Sequence, residues 1–355
     1  MMKSNKVLDF FKSFFNKVKT GTVEFFQTRW NNTKEKVNNL FKPKAKVKRP
    51  KMSPLYIGLA VVLALYMISM VVPIFWMLLT TIKTSAEYDG HIVNGFLVKN
   101  QLWLPKWTKD YKGFTFQNYK TAYNNLYIRV TVTVNGITGT AKYKMLPMFI
   151  NSIKFSIGSA IAMTVTTLMM GYAAARFRYK FSELIYMFVL VAMALPIVGS
   201  LPSEIATAQA LGIFDSFIGI WIMRCTFLNT YFLIYYAQFK MIPMDYTEAA
   251  KIDGATPFAV MFKIIVPLAS STTAAIFVLN FIALWNDFQI PMIYLPYNPV
   301  AAYGMYKFIN EPVLEITSDT VRLAGVCLVA FPIVVFYAIF NKKLNVNLSV
   351  GGIKG

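Results

Sequence analysis

Long apolar segments constrain the fold of this 355-residue chain more than any other feature. Several are about 20 residues long or longer, which is the length that an α-helix needs to cross the hydrocarbon core of a bilayer. Only helices and closed barrels satisfy the backbone in lipid, and continuous apolar runs indicate helices. The hydrophobic share of 56% exceeds the roughly 45–50% of soluble proteins. The sequence therefore predicts an all-α polytopic membrane protein.

Hydropathy predicts six transmembrane helices. The predicted spans run from about Pro54 to Ile82, Leu146 to Ala175, Phe181 to Ser200, Phe214 to Phe239, Ala269 to Ile293 and Val321 to Phe340. We assign 53–345 to the membrane domain, which follows an N-terminal extension (1–52) and precedes a short tail (346–355).

Charge in the short loops predicts the orientation, because Lys and Arg concentrate on the cytoplasmic side. The loop from Leu201 to Ile213 has neither Lys nor Arg and contains Glu204. The basic residues that follow the second and sixth spans are Arg176, Arg178, Lys180, Lys342 and Lys343. We therefore expect a multi-pass protein of the cell membrane with both termini in the cytoplasm and segment 83–145 outside.

The predicted external loop, 83–145, is rich in basic residues. They include Lys99, Lys106, Lys109, Lys112, Lys120, Arg129, Lys142 and Lys144. Loops longer than about 60 residues do not follow the charge rule, so the predicted orientation stands. Residues 127–140 alternate β-branched and polar side chains around Asn135-Gly136, which predicts a β-hairpin within a small folded cap.

The first 52 residues hold many of the Lys and Arg residues behind the net charge of +20. Aromatic and aliphatic residues recur there at helical spacing with lysines between them. One interpretation is a pair of amphipathic helices among the lipid headgroups; the other is a mostly disordered basic tail. Other basic residues flank the apolar segments, so we attribute the charge to membrane lipid and to orientation, and we expect no nucleic-acid partner.

Residues suited to catalysis or metal binding are scarce. Cys225 and Cys327 lie in apolar segments, where the simplest interpretation is two small buried side chains. The single histidine, His91, is placed in a loop, and the sequence has no Cys/His cluster. It also lacks a GxxxxGK(S/T) phosphate-binding loop and the motifs of hydrolases. We expect a chain that is not an enzyme and holds no metal or cofactor of its own.

One polar connector, 245–268, separates the fourth and fifth predicted spans. Its pattern predicts two short helices with a bend between them. Asp245 is placed to cap the first helix, with Glu248 completing a box-like arrangement. Gly254 permits the positive φ that ends this helix. Thr256 and Pro257 are suited to begin the second helix, which Val266-Pro267 ends.

This connector resembles the EAA signature of ATP-binding-cassette (ABC) importer permeases. The matching residues are Glu248, Ala249, Ala250, Gly254, Ile264, Val266 and Pro267, with Val266 where the family usually has Leu. Further resemblance to carbohydrate-type, MalG-like permeases lies in Phe114–Tyr119, Asn151-Ser152, Gly171–Phe177, Trp285–Phe288 and Gly351–Gly355. The resemblance covers about 54–355 and implies the six-helix fold of type I ABC importers.

The resemblance also implies partners and a mechanism. The expected partners are a second, related permease, an ABC ATPase dimer that binds ATP and Mg, and an extracellular solute-binding protein or lipoprotein. The expected substrate is a carbohydrate such as maltose, maltodextrin or another oligosaccharide. ATP-driven closure of the ATPases would move the connector and reverse the opening of the pore. The residues expected to couple to the ATPase are Glu248, Ala249, Ala250, Asp253, Gly254 and Pro267.

Polar residues of the fifth span are candidates for the substrate path. Asn280, Trp285, Asn286 and Asp287 combine amides, a carboxylate and an aromatic ring, groups that bond sugar hydroxyls and pack on pyranose faces. The alternative is that they form hydrogen bonds between helices. Arg224, in the fourth span, is expected to be paired or to reach toward the interface.

Two other classes of transporter remain open on the sequence alone. An ABC permease for a non-sugar solute, such as a glycerol phosphate or a polyamine, would carry the same connector. A secondary transporter would carry ionisable residues deep in several spans and an internal repeat. Only Arg224 is deep in a predicted span and no repeat is visible, which favours the ABC permease.

Overall fold

The computed structural model describes residues 54–93, 96–102, 104–106, 113–134, 137–177, 180–195, 199–311 and 318–345. The predicted extension (1–52), the tail (346–355) and the Asn135-Gly136 turn lie outside these residues. The chain divides into two compact units, Met1–Met70 and Val71–Gly355. In the first unit the described residues belong to the first helix. The second unit is the one that contains the sites considered below.

Helices form most of the described chain. They are α1 (Pro54–Thr81), α2 (Ser85–Asp89), α3 (Gln117–Asn125), α4 (Met145–Arg176), α5 (Lys180–Ala194), α6 (Leu201–Ala210), α7 (Phe217–Met223), α8 (Thr230–Met241), α9 (Asp245–Ile252), α10 (Pro257–Val260), α11 (Val266–Leu268), α12 (Ser270–Asn286), α13 (Gln289–Tyr294), α14 (Ala301–Asn310) and α15 (Asp319–Asn345). Met261–Ile265 form a π-helical turn between α10 and α11. The strands are β1 (His91–Val93), β2 (Phe96–Val98), β3 (Tyr127–Val134) and β4 (Ile137–Lys144).

Among the described residues, three helices are long and apolar enough to cross a membrane. They are α1, α4 and the Asp319–Phe340 part of α15, which correspond to the first, second and sixth predicted spans. A fourth crossing is available if the bent pair Pro257–Leu268 and Ser270–Asn286 counts as one. The fifth predicted span is interrupted where α12 ends and α13 begins.

The third and fourth predicted spans differ most from expectation. Helix α5 has 15 residues and ends at Ala194, before the predicted Ser200. The fourth span is not one helix, because α7 and α8 are separated by residues 224–229. Asn229 begins α8 by accepting a hydrogen bond from the Phe232 amide (3.2 Å). Such side chains offer the backbone a local alternative to a continuous helix, which hydropathy does not register.

Smaller expectations also need correction. Cys225 lies in this interruption and is exposed, and Cys327 is half-buried, so neither is fully buried. His91 is the first residue of β1 rather than part of a loop. The segment Leu201–Ile213 was expected to be a loop, but most of it forms helix α6. Pro202 is compatible with this helix because it lies in the first turn, where the backbone amide needs no partner within the helix.

Helix α4 packs against α7, α8 and α12 through small and hydroxylated residues. A Cβ atom at Gly158 would lie 2.1 Å from Cε2 of Trp221, and one at Gly171 would lie 2.7 Å from Cβ of Tyr235. The buried hydroxyl residues of α4 are Ser152, Ser156, Ser159, Thr164 and Thr167. Small residues allow helices in a membrane to approach closely, where packing rather than water drives association.

The opposite face of α4 is exposed and mostly apolar, with Lys154 as its one exposed charged residue. Its exposed large apolar residues recur every three or four positions and are Leu146, Ile150, Ile153, Ile157, Ile161, Val165 and Met169. This spacing follows one side of an α-helix. We call this set the lipid-facing stripe, since an apolar helix face of this length is suited to a hydrocarbon environment.

The segment after α1 is a folded cap held by buried polar residues. Lys83 is fully buried, and its Nζ donates to the carbonyls of Asn100 (3.0 Å) and Gln101 (3.0 Å). Asn118 donates to the carbonyls of Thr81 (2.8 Å) and Lys83 (2.6 Å). Desolvation lowers the pKa of Lys83, and the nearby Glu87 carboxylate opposes that shift. These hydrogen bonds pair the buried polar groups of Lys83 and Asn118, so this segment is folded around an interior of its own.

Strands β3 and β4 pair antiparallel from Tyr127 opposite Lys144 to Val134 opposite Ile137. Ile128 and Val130 are buried in a core that also contains Met148 of α4 and Phe308 of α14. The alternating segment thus forms a two-stranded ribbon with one side fixed on the helices.

We expect Gly158→Ala to lower the midpoint of thermal unfolding of the full-length protein in detergent. The added methyl group would overlap the Trp221 ring, and overpacking of this kind costs about 1–3 kcal/mol. Gly139→Ala is the matched control, because a Cβ atom there meets nothing within 4 Å. Equal midpoints for the two variants would contradict the close packing of α7 on α4.

Candidate functional site

The polar connector 245–268 begins with helix α9. Asp245 is its first helical residue, and the preceding Met244 has helical dihedral angles and makes no side-chain cap. The predicted capping role of Asp245 is therefore wrong, since a side chain inside the helix cannot replace one before it. Asp245 and Glu248 instead both lie in the first turn, where negative charge interacts favourably with the helix dipole.

Helix α9 ends as the sequence predicts, at a glycine with a positive φ. Gly254 has φ +80°. Its amide donates to the Lys251 carbonyl (3.0 Å), and the Ala255 amide donates to the Ala250 carbonyl (2.9 Å). These two bonds are the Schellman arrangement, which reverses the chain within a few residues. Asp253 is the residue at this C-terminal cap.

The second half of the connector is helical but irregular. The Thr256 hydroxyl accepts a hydrogen bond from the Ala259 amide (3.3 Å), and Pro257 follows in the first turn, as predicted. The π-helical turn then precedes Pro267, whose ring disfavours regular helix geometry. The helix continues to Leu268 and bends by 77° into α12. Pro267 therefore lies just before the bend rather than at the last helical residue.

The inner face of the connector packs on three helices of the membrane domain. Ala250, Val260, Met261 and Ile265 are buried in one apolar cluster. The other helices contribute to this cluster Leu168 and Tyr172 of α4, Tyr235 and Phe239 of α8, and Ile276 of α12. Movement of the connector as a unit would therefore act directly on α4, α8 and α12.

The outer face of the connector is exposed and combines acidic, small and large apolar side chains. We define it as Glu248, Ala249, Ile252, Asp253, Phe258 and Phe262. Ile252 is 87% exposed and Phe258 is 69% exposed. The two alanines of the signature separate here, because Ala249 is exposed whereas Ala250 is 7% exposed and belongs to the inner face. Ala249 can thus contact another protein, while Ala250 is occupied within the chain.

Arg176, at the end of α4, contacts the start of the connector. Its Nη1 lies 2.8 Å from Sδ of Met244, and the residue is 7% exposed. Nε and Nη2 of this guanidinium are buried and find no partner among the described residues. From the sequence, Arg176 was used only to predict the orientation in the membrane. Its place in the Gly171–Phe177 motif is the sequence signal that could have indicated a contact with the connector.

The residues predicted for the substrate path are mostly engaged in internal bonds. Asn280 is buried and donates to the Thr164 hydroxyl (3.2 Å), and Trp285 Nε1 donates to the Val329 carbonyl (3.2 Å). Asn286 is exposed and donates to the Ile282 carbonyl one turn earlier (2.9 Å). The inter-helix interpretation therefore accounts for Asn280 and Trp285.

Asp287 and Arg224 form an ion pair, with 3.5 Å between Nη2 and Oδ2. The other carboxylate oxygen of Asp287 accepts from the amides of Gln289 (3.0 Å) and Ile290 (3.2 Å), which begins α13. Nearby, the Tyr294 hydroxyl donates to Glu204 Oε2 (3.0 Å). Hydrogen bonds from Ser200 and Tyr294 lower the pKa of Glu204, and Arg224 contributes in the same direction. The ion pair therefore links the interruption of the fourth predicted span, at Arg224, to that of the fifth, at Asp287.

A cavity of about 260 Å³ adjoins the end of α12. Trp285 and Asn286 line it together with residues of α14 and α15. The rings of Phe288 and Tyr306 stack beside it with centroids 4.4 Å apart, and Asn310 adds a second amide. Of the predicted path residues, the structure thus brings two to this cavity. Tyr306 and Asn310 were missed, because α14 was not predicted as a helix.

Comparison with known proteins shows the fold and the family of this chain. The chain is similar to the crystal structure of a bacterial ABC transporter involved in the import of the acidic polysaccharide alginate, with a TM-score of 0.62 and 19% identity over 83% of this chain and 99% of that one. This likeness shows the fold that the two chains share. Residues 167–345 match the family described as binding-protein-dependent transport system inner membrane component, and the chain belongs to this family.

Relatives of known type are similar over most of their length. The diacetylchitobiose uptake system permease protein NgcG of Streptomyces coelicolor is 24% identical over 81% of this chain and 86% of its own. The probable starch degradation products transport system permease protein AmyC of Thermoanaerobacterium thermosulfurigenes is 28% identical over 83% and 95%, respectively. The names of both relatives refer to permease proteins of saccharide transport systems, and this chain belongs to the family of binding-protein-dependent transport components.

Substitution of the two neighbouring alanines tests the assignment of the two faces. We expect Ala250→Leu to lower the thermal unfolding midpoint in detergent, because Ala250 is buried in the inner-face cluster and overpacking costs about 1–3 kcal/mol. Ala249→Leu should leave the midpoint nearly unchanged, as exposed substitutions usually do. Equal destabilisation by both variants would contradict the assignment.

Proposed function

We propose that this chain forms half of the translocation pore of an ATP-driven oligosaccharide importer and that residues 245–268 dock on an ABC ATPase dimer. The observation that carries the proposal is the division of the connector into two faces. The inner face packs on α4, α8 and α12, and the outer face exposes Glu248, Ala249, Ile252 and Asp253. Such a segment can receive a force from a partner and pass it to the membrane helices.

The connector has the properties of a docking element. Exposed Ile252 and Phe258 supply apolar area, and Glu248 and Asp253 supply charge for a complementary surface. The positive φ of Gly254 fixes the turn between its halves. ATP and Mg would bind on the ATPase, whose closure would move the connector and shift the pore between two states. A second, related permease would complete the pore.

The proposed topology has six crossings with both termini in the cytoplasm. Helix α5 would form the short third crossing, and α7 with α8 the broken fourth one. Irregular backbone at membrane depth is tolerated where protein groups satisfy it. The break is supported in this way: the Thr167 hydroxyl of α4 donates to the Thr226 carbonyl (3.2 Å), and Asn229 donates to the Thr167 hydroxyl (3.1 Å).

The proposed substrate is an oligosaccharide, such as a maltodextrin, delivered by an extracellular solute-binding protein. The named relatives support the class, since their names refer to diacetylchitobiose and to starch degradation products. The cavity at the end of α12 supports it chemically, because the Phe288–Tyr306 pair offers an aromatic surface and Asn286 and Asn310 offer amides. We assign Asn286 rather than Asp287 to this path, as Asp287 is held by Arg224.

Coupling is tested with the assembled transporter in proteoliposomes. We expect Glu248→Ala and Ala249→Leu to reduce both sugar uptake and binding-protein-stimulated ATP hydrolysis by about tenfold, the effect of losing a central interface contact. The control is Glu311→Ala, another exposed carboxylate, which pairs with Lys307 outside the connector. Full uptake and full stimulation in both connector variants would refute the docking role.

The substrate path is tested by the kinetics of labelled maltodextrin uptake. We expect Asn286→Ala and Tyr306→Ala to raise the KM for uptake several-fold, since each removes a group from the cavity wall. Gln209→Ala, an exposed amide on α6, is the control. An unchanged KM in both cavity variants would show that this cavity is not on the path. Failure to transport maltodextrin, with transport of another sugar, would correct only the substrate.

A further inference from the structure

The β3–β4 ribbon has a charged side that the transport function does not explain. Tyr127 is paired with Lys144, and Arg129 with Lys142. Because side chains alternate along a strand and paired residues share a face, these four residues lie on the same side. We call this set the basic face. The opposite side carries Ile128 and Val130, which are buried against the helices.

The basic face holds three cations close together. Arg129 and Lys142 lie directly opposite each other, where like charges destabilise a strand pair. The Tyr127 ring offsets part of this repulsion, since Lys142 Nζ lies 3.7 Å and Arg129 Cζ 5.4 Å from its centroid. The ion pairs of the described residues include none of the three cations.

The surrounding sequence offers no carboxylate to balance these charges. From Tyr111 to Ser182 the chain has neither Asp nor Glu. A cluster of exposed cations that repel one another, with no acidic residue close to them in the sequence, is complementary to an anion from outside the chain. Arg suits a phosphate particularly well, because its guanidinium donates in a bidentate fork, and Lys adds a compact charge.

The position of the basic face identifies the source of this anion. Strand β4 runs directly into α4, with Lys144 at the N-cap of that helix. The lipid-facing stripe begins two residues later, at Leu146, and continues to Met169. The basic face therefore lies where the hydrocarbon-facing part of α4 ends, which is the level of the lipid headgroups. Ile128 and Val130 fix it there on a packed core.

We propose that the basic face binds the phosphates of anionic phospholipid headgroups in the leaflet around the N-terminal end of α4. The proposal requires that α4 crosses the bilayer, and it does not depend on the substrate or on the ATPase. It also explains why a predicted external loop carries basic residues so close to a span. The headgroups neutralise charges that the ribbon cannot neutralise itself.

The test measures lipid retention by the full-length chain in detergent, with native mass spectrometry after addition of equal amounts of phosphatidylglycerol and phosphatidylcholine. The R129Q/K142Q/K144Q variant is compared with K99Q/K106Q/K120Q, which removes three exposed lysines elsewhere in segment 83–145. Residues 1–52 contribute equally to both. We expect phosphatidylglycerol retention about tenfold lower in the ribbon variant than in the control, because each basic residue near an anionic surface adds to binding.

The remaining measurements separate this proposal from its competitors. The R129K/K142R/K144R variant should retain phosphatidylglycerol as the wild type does, and the thermal midpoint of the glutamine variant without lipid should not fall, since it loses a repulsion.

Equal retention by the ribbon and control variants would overturn the proposal, as would equal retention of the two lipids by the wild type. Displacement of the lipid by excess inorganic phosphate would assign the site to free phosphate instead. Unchanged lipid retention with loss of solute-binding-protein capture would assign it to a protein partner.

Discussion

Close packing along α4 is the interaction on which the rest of this structure depends. Gly158 and Gly171 bring Trp221 of α7 and Tyr235 of α8 against its backbone. Its hydroxyl residues bond other segments, as in Thr164 with Asn280 and Ser152 with the Ala301 amide (2.8 Å). Without water to drive association, such contacts decide which helices stay together. At 32 residues, α4 is about 48 Å long, and it connects the β3–β4 ribbon to Arg176 beside the connector.

This arrangement gives the proposed coupling a physical route. The connector contacts the membrane helices through several residues. Ala250, Met261 and Ile265 share one apolar cluster with residues of α4, α8 and α12. Packed interiors transmit displacement instead of absorbing it, since they contain few voids. The 77° bend after Leu268 turns the connector away from α12. Displacement of the outer face would therefore reach α12 through the backbone at this bend, and α4 and α8 through side-chain contacts.

Hydropathy and local motifs predict the parts of this fold that depend on one element at a time. The spans α1, α4 and α15, the turn at Gly254 and the start at Thr256 follow from residues within a few positions of each other. The broken fourth span does not, because its interruption is also bonded to Thr167 of α4, which is distant in the sequence. In the same way, residues 249 and 250 are both alanine, yet Ala249 is exposed and Ala250 is buried. Asp287 resembles a substrate ligand until Arg224 is placed next to it.

The environment of exposed apolar residues separates the connector from the spans. Ile150 and Ile157 on α4 are exposed in the chain, but lipid covers a face of that kind. The first half of the connector, 245–256, has polar composition and ends in a capped turn, so in the proposed topology its outer face lies in water, where Ile252 gains no such cover. Apolar residues grouped on a surface in water mark a site of protein interaction. Glu248 and Asp253 beside them keep that surface from being covered by lipid instead, because a carboxylate is costly to transfer into hydrocarbon. The same side-chain chemistry thus indicates lipid contact on one element and a protein partner on the other.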